Sequence, residues 1–192
     1  MEAYDAVVVA GGRATRLGGV DKGQLEVGGV SLLSRALNAV AAAHHTVVVG
    51  GARPLPGHVV GTSEVPPGGG PVAALATGLA YVDVGVVVAL ACDMPFLTQQ
   101  HVSRLVQAVT DERHADGALF VDGAGRRQPL AAAYRTAALR AAVDALGDPD
   151  GASMRALTNR LTLIEATADS ETTLDCDTWA DVARSRHILE ER

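Results

Sequence analysis

Apolar residues fall along the chain in short, β-branched runs: AVVVA (6–10), TVVVG (46–50), HVVGT (58–62), GVVVALA (85–91) and GALFV (117–121). Near-continuous runs of this kind suit strands buried on both faces of a sheet. Between them lie segments with apolar residues at three-to-four spacing. SLLSRALNAVAAA (31–43) opens on a serine fit to cap a helix, and GPVAALATGLAYV (70–82), TQQHVSRLVQAV (98–109) and TAALRAAVDAL (136–146) follow the same spacing. The alternation predicts right-handed βαβ units, hence an α/β fold with a mainly parallel central sheet. QPLAAAY (128–134) is expected to be a strand entering the helix at 136. Beyond GDPDG (147–151), a short helix, a strand near 161–165 and a final helix near 178–190 complete the pattern. No repeat, low-complexity tract or linker divides the chain, so residues 1–192 are expected to form a single domain.

Composition agrees with this pattern. Hydrophobic residues make up 48% of the chain and aromatic ones only 3%, so Val, Ala and Leu must build the core. A formal net charge of −6 argues against a broad nucleic-acid or acidic-membrane surface, and leaves room for a local basic site that takes a small anion. The opening MEAYDAVVVAGG lacks the basic segment and long apolar run of a signal peptide, and no apolar run is long enough to span a bilayer. Two cysteines, Cys92 and Cys176, make no disulfide framework. The expectation is a cytoplasmic protein with no nucleic-acid and no membrane partner.

In sheets of this class, ligands collect beyond the carboxyl ends of the strands. VVVAGGRATRLGGVDKGQL (7–25) lies there: a strand runs into Gly11, Gly12, Gly18 and Gly19, interleaved with Arg13, Arg16 and Lys22. Two phosphate-binding patterns are excluded by spacing. GxxxxGK[ST] is absent because Lys22 is followed by Gly23. GxGxxG is absent because Gly11 and Gly12 are adjacent and the next glycine pair comes six residues later. The physics still favours phosphate. Glycines let backbone N–H groups approach an anion, Arg16 offers a planar fork of donors, and Lys22 a mobile point charge. Each charge-assisted hydrogen bond contributes roughly 1.5–3 kcal/mol. The alternative is a solvated turn whose basic residues serve solubility; the strand before, the helix after and the arginine–lysine pair favour the phosphate site.

Other candidate residues follow from position. Asp93, in VVVALACDMPFL (86–97), ends a strand just before Pro95; a carboxylate there can hold Mg²⁺ against phosphates, or cap a turn. EVPPGGGPVAALATGL (64–79) reads as a rigid proline–glycine turn before a helix. In LDCDTWADVARSR (174–186), Asp177 with Asp181 suits a helix cap, and Asp175 suits a cap or surface loop. Cys92 reads as a small core residue with no partner to make it a nucleophile. His44 and His45 stand in no partner motif and take no ligand role.

VVVAGGRATRLGGVDKGQLEVGGVSLL resembles the signature of the molybdenum cofactor guanylyltransferases, within the wider nucleotidyltransferase superfamily, whose pattern is roughly LAGGxxxRMGxDKxLLxxxGxxLL. Val9 stands for the first Leu, Leu17 for Met, and Gln24 for an apolar residue. CDMPF resembles the family's metal-binding DxP motif. The 64–79 stretch resembles D-x-x-P-G-x-G-P-L-A-G, with Gly70 and Pro71 matching, Glu64 where Asp is common and Ala74 for a Gly. The resemblance implies a Rossmann-like three-layer sandwich that transfers GMP from GTP to molybdopterin, releasing pyrophosphate. It implies Arg16, Lys22 and Asp93 as catalytic residues, and Val9, Ala10, Gly11, Gly12, Glu64, Gly70 and Pro71 with these three as the nucleotide site. Mg²⁺ on Asp93, joined by Asp177, is the implied cofactor. Asp175 and Asp177 take the places of two Asn or Asp residues of a family motif, with Trp179 in place of Pro. Arg126, Arg127 and Gln128, with Asp175, are implied near the pterin; solvated loop positions are the alternative for them. Transient contact with molybdoenzymes that accept the cofactor is a further implication.

Three other functions would leave different marks on the sequence. A cytidylyltransferase for the same cofactor tends to have AAG where this chain has Ala10-Gly11-Gly12, and lacks the GPLAG-like run. A sugar-phosphate nucleotidyltransferase usually has a basic loop ending in a proline–lysine pair. A non-catalytic nucleotide-binding regulator should have lost a phosphate or metal residue, yet Arg16, Lys22 and Asp93 are all present.

Overall fold

The valine runs form strands, buried on both faces at the centre of the sheet and partly exposed at its edge, as in β5. In chain order the elements are β1 (Tyr4–Val9), β2 (Glu26–Val27), β3 (Val30–Ser31), α1 (Leu32–Ala39), β4 (Thr46–Val49), β5 (Val59–Thr62), α2 (Pro71–Leu79), β6 (Val86–Ala91), α3 (Gln99–Asp111), β7 (Gly117–Val121), β8 (Arg127–Arg135), α4 (Thr136–Asp144), α5 (Met154–Thr158), β9 (Leu163–Thr167) and α6 (Trp179–Glu190). The computed structural model describes residues 2–11, 17–51 and 53–191. Among these, no helix is long and apolar enough to cross a membrane.

Seven strands make one sheet in the order β5-β4-β1-β6-β8-β7-β9. β1 lies between β4 and β6 and is parallel to both, with Val7 opposite Val47 and Ala89. Successive side chains of a strand point to opposite faces. Tyr4, Ala6 and Val8 therefore pack with α1 and α3 on one side, and Val7 and Val9 with α2, α4 and α5 on the other. These three layers are the α/β sandwich expected from the alternating pattern. Gly78 of α2 lets that helix lie close on β1: a Cβ there would stand 2.4 Å from Val7 Cγ1.

Three features depart from the expected elements. β8 is a strand as expected, but it runs antiparallel to both β6 and β7. The helix expected over 31–43 ends at Ala39. The small antiparallel pair β2–β3 turns through Gly28 and Gly29, both at positive φ (61° and 72°), as a tight two-residue hairpin requires. This hairpin carries Val27, which joins Leu17, Leu32, Cys176 and Val182 in a separate apolar cluster. Arg186 of α6 also donates to the Glu26 carbonyl at 2.9 Å. Together these contacts seat the C-terminal segment beside the glycine-rich loop.

Candidate active site

The site begins where β1 and β4 end. The Ala10 N–H donates to the Val49 carbonyl at 2.8 Å, and Gly11 then lies against Gly50. A Cβ on Gly50, whose φ is 122°, would fall 2.2 Å from the Gly11 nitrogen, so only glycine allows the two strand ends to approach this closely. Gly12 and Arg16 lie outside the described residues.

The chain re-enters at Leu17 and forms a single 3₁₀ turn over Lys22–Gln24. Asp21 caps it by accepting from the Gly23 N–H at 3.0 Å. Arg53, entering from the segment after β4, braces this turn against β1. Its Nη2 donates to the Ala10 carbonyl at 3.0 Å, and its Nη1 stands 3.2 Å from Asp21 Oδ1. The Arg53 side chain is only 6% exposed, and among the described residues its Nε and Nη1 have no hydrogen-bond partner.

Lys22 projects from the braced turn to the end of β6. Its Nζ donates to Asp93 Oδ2 at 3.0 Å and to Asp177 Oδ1 from the other side. Burial works against the ammonium charge, but Asp93 and Asp177 outweigh it and hold the lysine pKa above its ordinary value. Asp177 reaches Lys22 because it is not the cap of α6. Thr178 is the cap, in a reciprocal pair with Asp181, which corrects the expected capping role of Asp177. The Cys176 N–H donates to the Asp93 carbonyl at 3.0 Å and holds the segment in register. Burial, with Asp177 and Asp93 as like-charged neighbours, raises the Asp175 carboxyl above its ordinary range.

A cavity of about 490 Å³ opens beside this cluster. Lys22, Asp93, Glu64, Gly70 and Pro71 line it, with Val9 and Gly11 from the β1 end. Glu64 is 9% exposed. Ala74, Ala91 and Leu130 add apolar wall. Ala10 does not line the cavity; its N–H and carbonyl are taken by Val49 and Arg53. Cys92 lines it, but burial first and then Asp93 push its thiol up to about 12, which suits packing and not nucleophilic attack.

Arg127 and Gln128 do not line this cavity. Arg127 pairs with Glu165 at 2.7 Å, Gln128 donates to Asp122 at 3.4 Å, and Arg126 pairs with the same Asp122 at 2.7 Å. They share the carboxyl-end edge of the sheet but sit over β7 and β9. Sequence reasoning missed Arg53, Gly50 and Leu130. A signal existed for Gly50: the second apolar run ends VVVGG much as the first ends VVVAGG. Arg53 and Leu130 carry no local signal.

A mainly parallel sheet whose glycine loop, basic residue and acidic strand end converge on one cavity defines a nucleotide-handling α/β protein. The sequence profile of the MobA-like NTP transferase domain matches residues 6–167, and the chain belongs to that family. A molybdenum cofactor guanylyltransferase of Cupriavidus metallidurans is 35% identical over 128 residues, which are 64% of this chain and 63% of that protein. The match therefore spans a little under two thirds of that relative. Two solved structures share the fold: molybdopterin-guanine dinucleotide biosynthesis protein A of Archaeoglobus fulgidus (TM-score 0.75, 18% identity, 98% of this chain and 100% of that one) and 2-C-methyl-D-erythritol 4-phosphate cytidylyltransferase of Thermus thermophilus (TM-score 0.73, 19% identity, 96% and 98%).

Proposed function

We propose that this protein transfers GMP from GTP to molybdopterin. An oxygen of the pterin's terminal phosphate attacks the α-phosphorus, the bond to the β-phosphate oxygen breaks, and pyrophosphate leaves with the electron pair. The observation that carries this reading is one cavity lined by Lys22, Asp93 and the buried Glu64. GTP needs both: cationic charge for its phosphates, and acceptors for the N1–H and amino donors of its guanine. The family membership and the molybdenum cofactor guanylyltransferases among the relatives support the same choice.

Lys22 acts as a cation in this scheme and not as a base. Its raised pKa keeps the ammonium charged throughout the neutral range, so it can neutralise charge that builds on the phosphates. Arg16 is assigned the same task from the family motif. The braced turn that carries Lys22 is ordered before substrate arrives, which favours positioning catalysis. Asp93 and Asp177 fit a hard divalent ion, because two carboxylates already converge on one cation, the Lys22 ammonium. These two residues would hold Mg²⁺, and when bound it would supply further neutralisation of phosphate charge. The guanine dinucleotide product would then pass to cofactor-accepting molybdoenzymes through transient contact.

Glu64 bears on the choice of base. Adenine would leave acceptors unpaired at a cost of roughly 1–3 kcal/mol, enough for a tenfold to hundredfold preference. CTP is the second reading, favoured by the equally close fold likeness to a cytidylyltransferase. Competition among GTP, CTP and ATP at equal concentration, with molybdopterin as acceptor and product mass as readout, tests the proposal. Dominant GMP incorporation is expected; dominant CMP incorporation overturns the base assignment, and no nucleotide transfer overturns the activity.

A further inference from the structure

At the opposite end of the sheet from the cavity, Asp5 is buried to 1% exposure at the start of β1. Its Oδ1 accepts the His45 N–H at 2.9 Å, and its Oδ2 accepts those of Asp83 at 2.8 Å and Val84 at 3.4 Å. A carboxylate offers about four lone-pair positions, two on each oxygen. Oδ2 is therefore filled, and Oδ1 keeps one position open. Two imidazoles face that position: Nδ1 of His44 stands 3.7 Å from Oδ1 and Nδ1 of His45 3.6 Å. The three donor atoms all lie within 4.8 Å of one another.

These separations are too long for hydrogen bonds. They approach the edge of about 3.4 Å that a tetrahedral site spans when its bonds are about 2.0–2.1 Å. The backbone holds both histidines there, since the His44 N–H donates to the Tyr4 carbonyl at 2.8 Å and the Ala6 N–H to the His45 carbonyl at 2.9 Å. The two side chains are 59% and 49% exposed, so an ion can enter from solvent and water can complete its shell. Two imidazoles and one carboxylate suit zinc and its neighbours, and suit Mg²⁺ poorly.

We propose that Asp5, His44 and His45 form a binding site for a divalent transition-metal ion of the zinc class, which ties the start of β1 to the segment entering β4. The six residue steps from Asp5 to Gly11 put it about 20 Å from the nucleotide cavity at roughly 3.3 Å per residue. The proposal stands apart from the catalytic reading, and an Asp93→Asn variant separates the two.

The test is titration of the chelator-treated full chain with Co²⁺, read by its ligand-field absorption, followed by displacement with Zn²⁺. Both cysteines are buried, so thiols do not compete. One equivalent is expected to bind, with affinity falling at least tenfold in His44→Ala and in His45→Ala. Binding should be unchanged in Asp93→Asn and under excess Mg²⁺. No Co²⁺ signal, or a signal retained in both histidine variants, overturns the site; loss of the signal in Asp93→Asn does so too.

Discussion

Lys22 lies between two carboxylates from distant parts of the chain, with its Nζ 3.0 Å from Asp93 and Asp177 closing from the other side. The contact to Asp177 spans 155 positions of sequence. In the free protein both carboxylates hold the ammonium; on the proposed reading Mg²⁺ would take its place between them and leave Lys22 to the phosphates. Lys22→Ala should leave the fold intact and cost on the order of 3 kcal/mol in the chemical step, near the loss of one preorganised donor. Steady-state kinetics at saturating nucleotide measure this; near-wild-type turnover would remove Lys22 from the mechanism.

Asp175 adds a third carboxylate to the same corner, and its proton affinity is raised by burial and by Asp177 and Asp93. A raised carboxyl pKa means that the folded state holds the proton more tightly than the unfolded chain, so ionisation at neutral pH weakens the fold. Asp175→Asn should therefore stabilise the ligand-free protein at pH 7, by less than about 1 kcal/mol because the residue is partly solvated. The gain should fade as pH falls toward about 4, the ordinary carboxyl range. Thermal melts of both proteins from pH 8 to 4 test the sign; a gain that grows on acidification contradicts it.

Arg53 is the brace between the end of β1 and the loop turn. Arg53→Met keeps the apolar stem but removes the bond to the Ala10 carbonyl and the charge beside Asp21. The expected loss is about 1–3 kcal/mol of stability, for an unsatisfied Ala10 carbonyl and the charge lost beside Asp21, which keeps its bond from the Gly23 N–H. Nucleotide affinity should also fall, because the loop is no longer held in place. Urea unfolding with nucleotide titration reads both; an unchanged midpoint would show that the loop needs no brace.

Gly78 sets two effects in opposition. Alanine is the better helix former by up to about 1 kcal/mol. Its Cβ, however, would meet Val7 Cγ1 at 2.4 Å and Val49 Cγ2 at 3.2 Å. Overpacking of this kind typically costs 1–3 kcal/mol, so Gly78→Ala should destabilise on balance. A denaturation midpoint above wild type would mean that α2 moves off β1 more cheaply than the packing suggests.

The central strands were legible in the sequence because burial on both faces leaves an unbroken apolar run. Val7 and Val8 are each fully buried, under different helices. The cap of α1 was legible for a local reason, a serine side chain reaching its own next turn. The direction of β8 had a signal that went unused: only five residues, 122–126, join it to β7, too few for a parallel crossover. The cap of α6 likewise follows from Thr178 and Asp181 at capping-box spacing.

Lys22 and Asp93 could be singled out because each follows a strand, where this class of sheet gathers ligands. What only the tertiary structure decided are the encounters between segments far apart in sequence. Asp177 turns to Lys22 because the β2–β3 hairpin and Cys176 seat the C-terminal segment beside the loop. Arg53 reaches Ala10 because β4 lies beside β1. His44 and His45, which stand in no motif, converge on Asp5 across 40 residues. Local propensity acts over a few residues, so it fixes the element that carries a side chain; the partner it meets depends on which elements the sheet order makes neighbours.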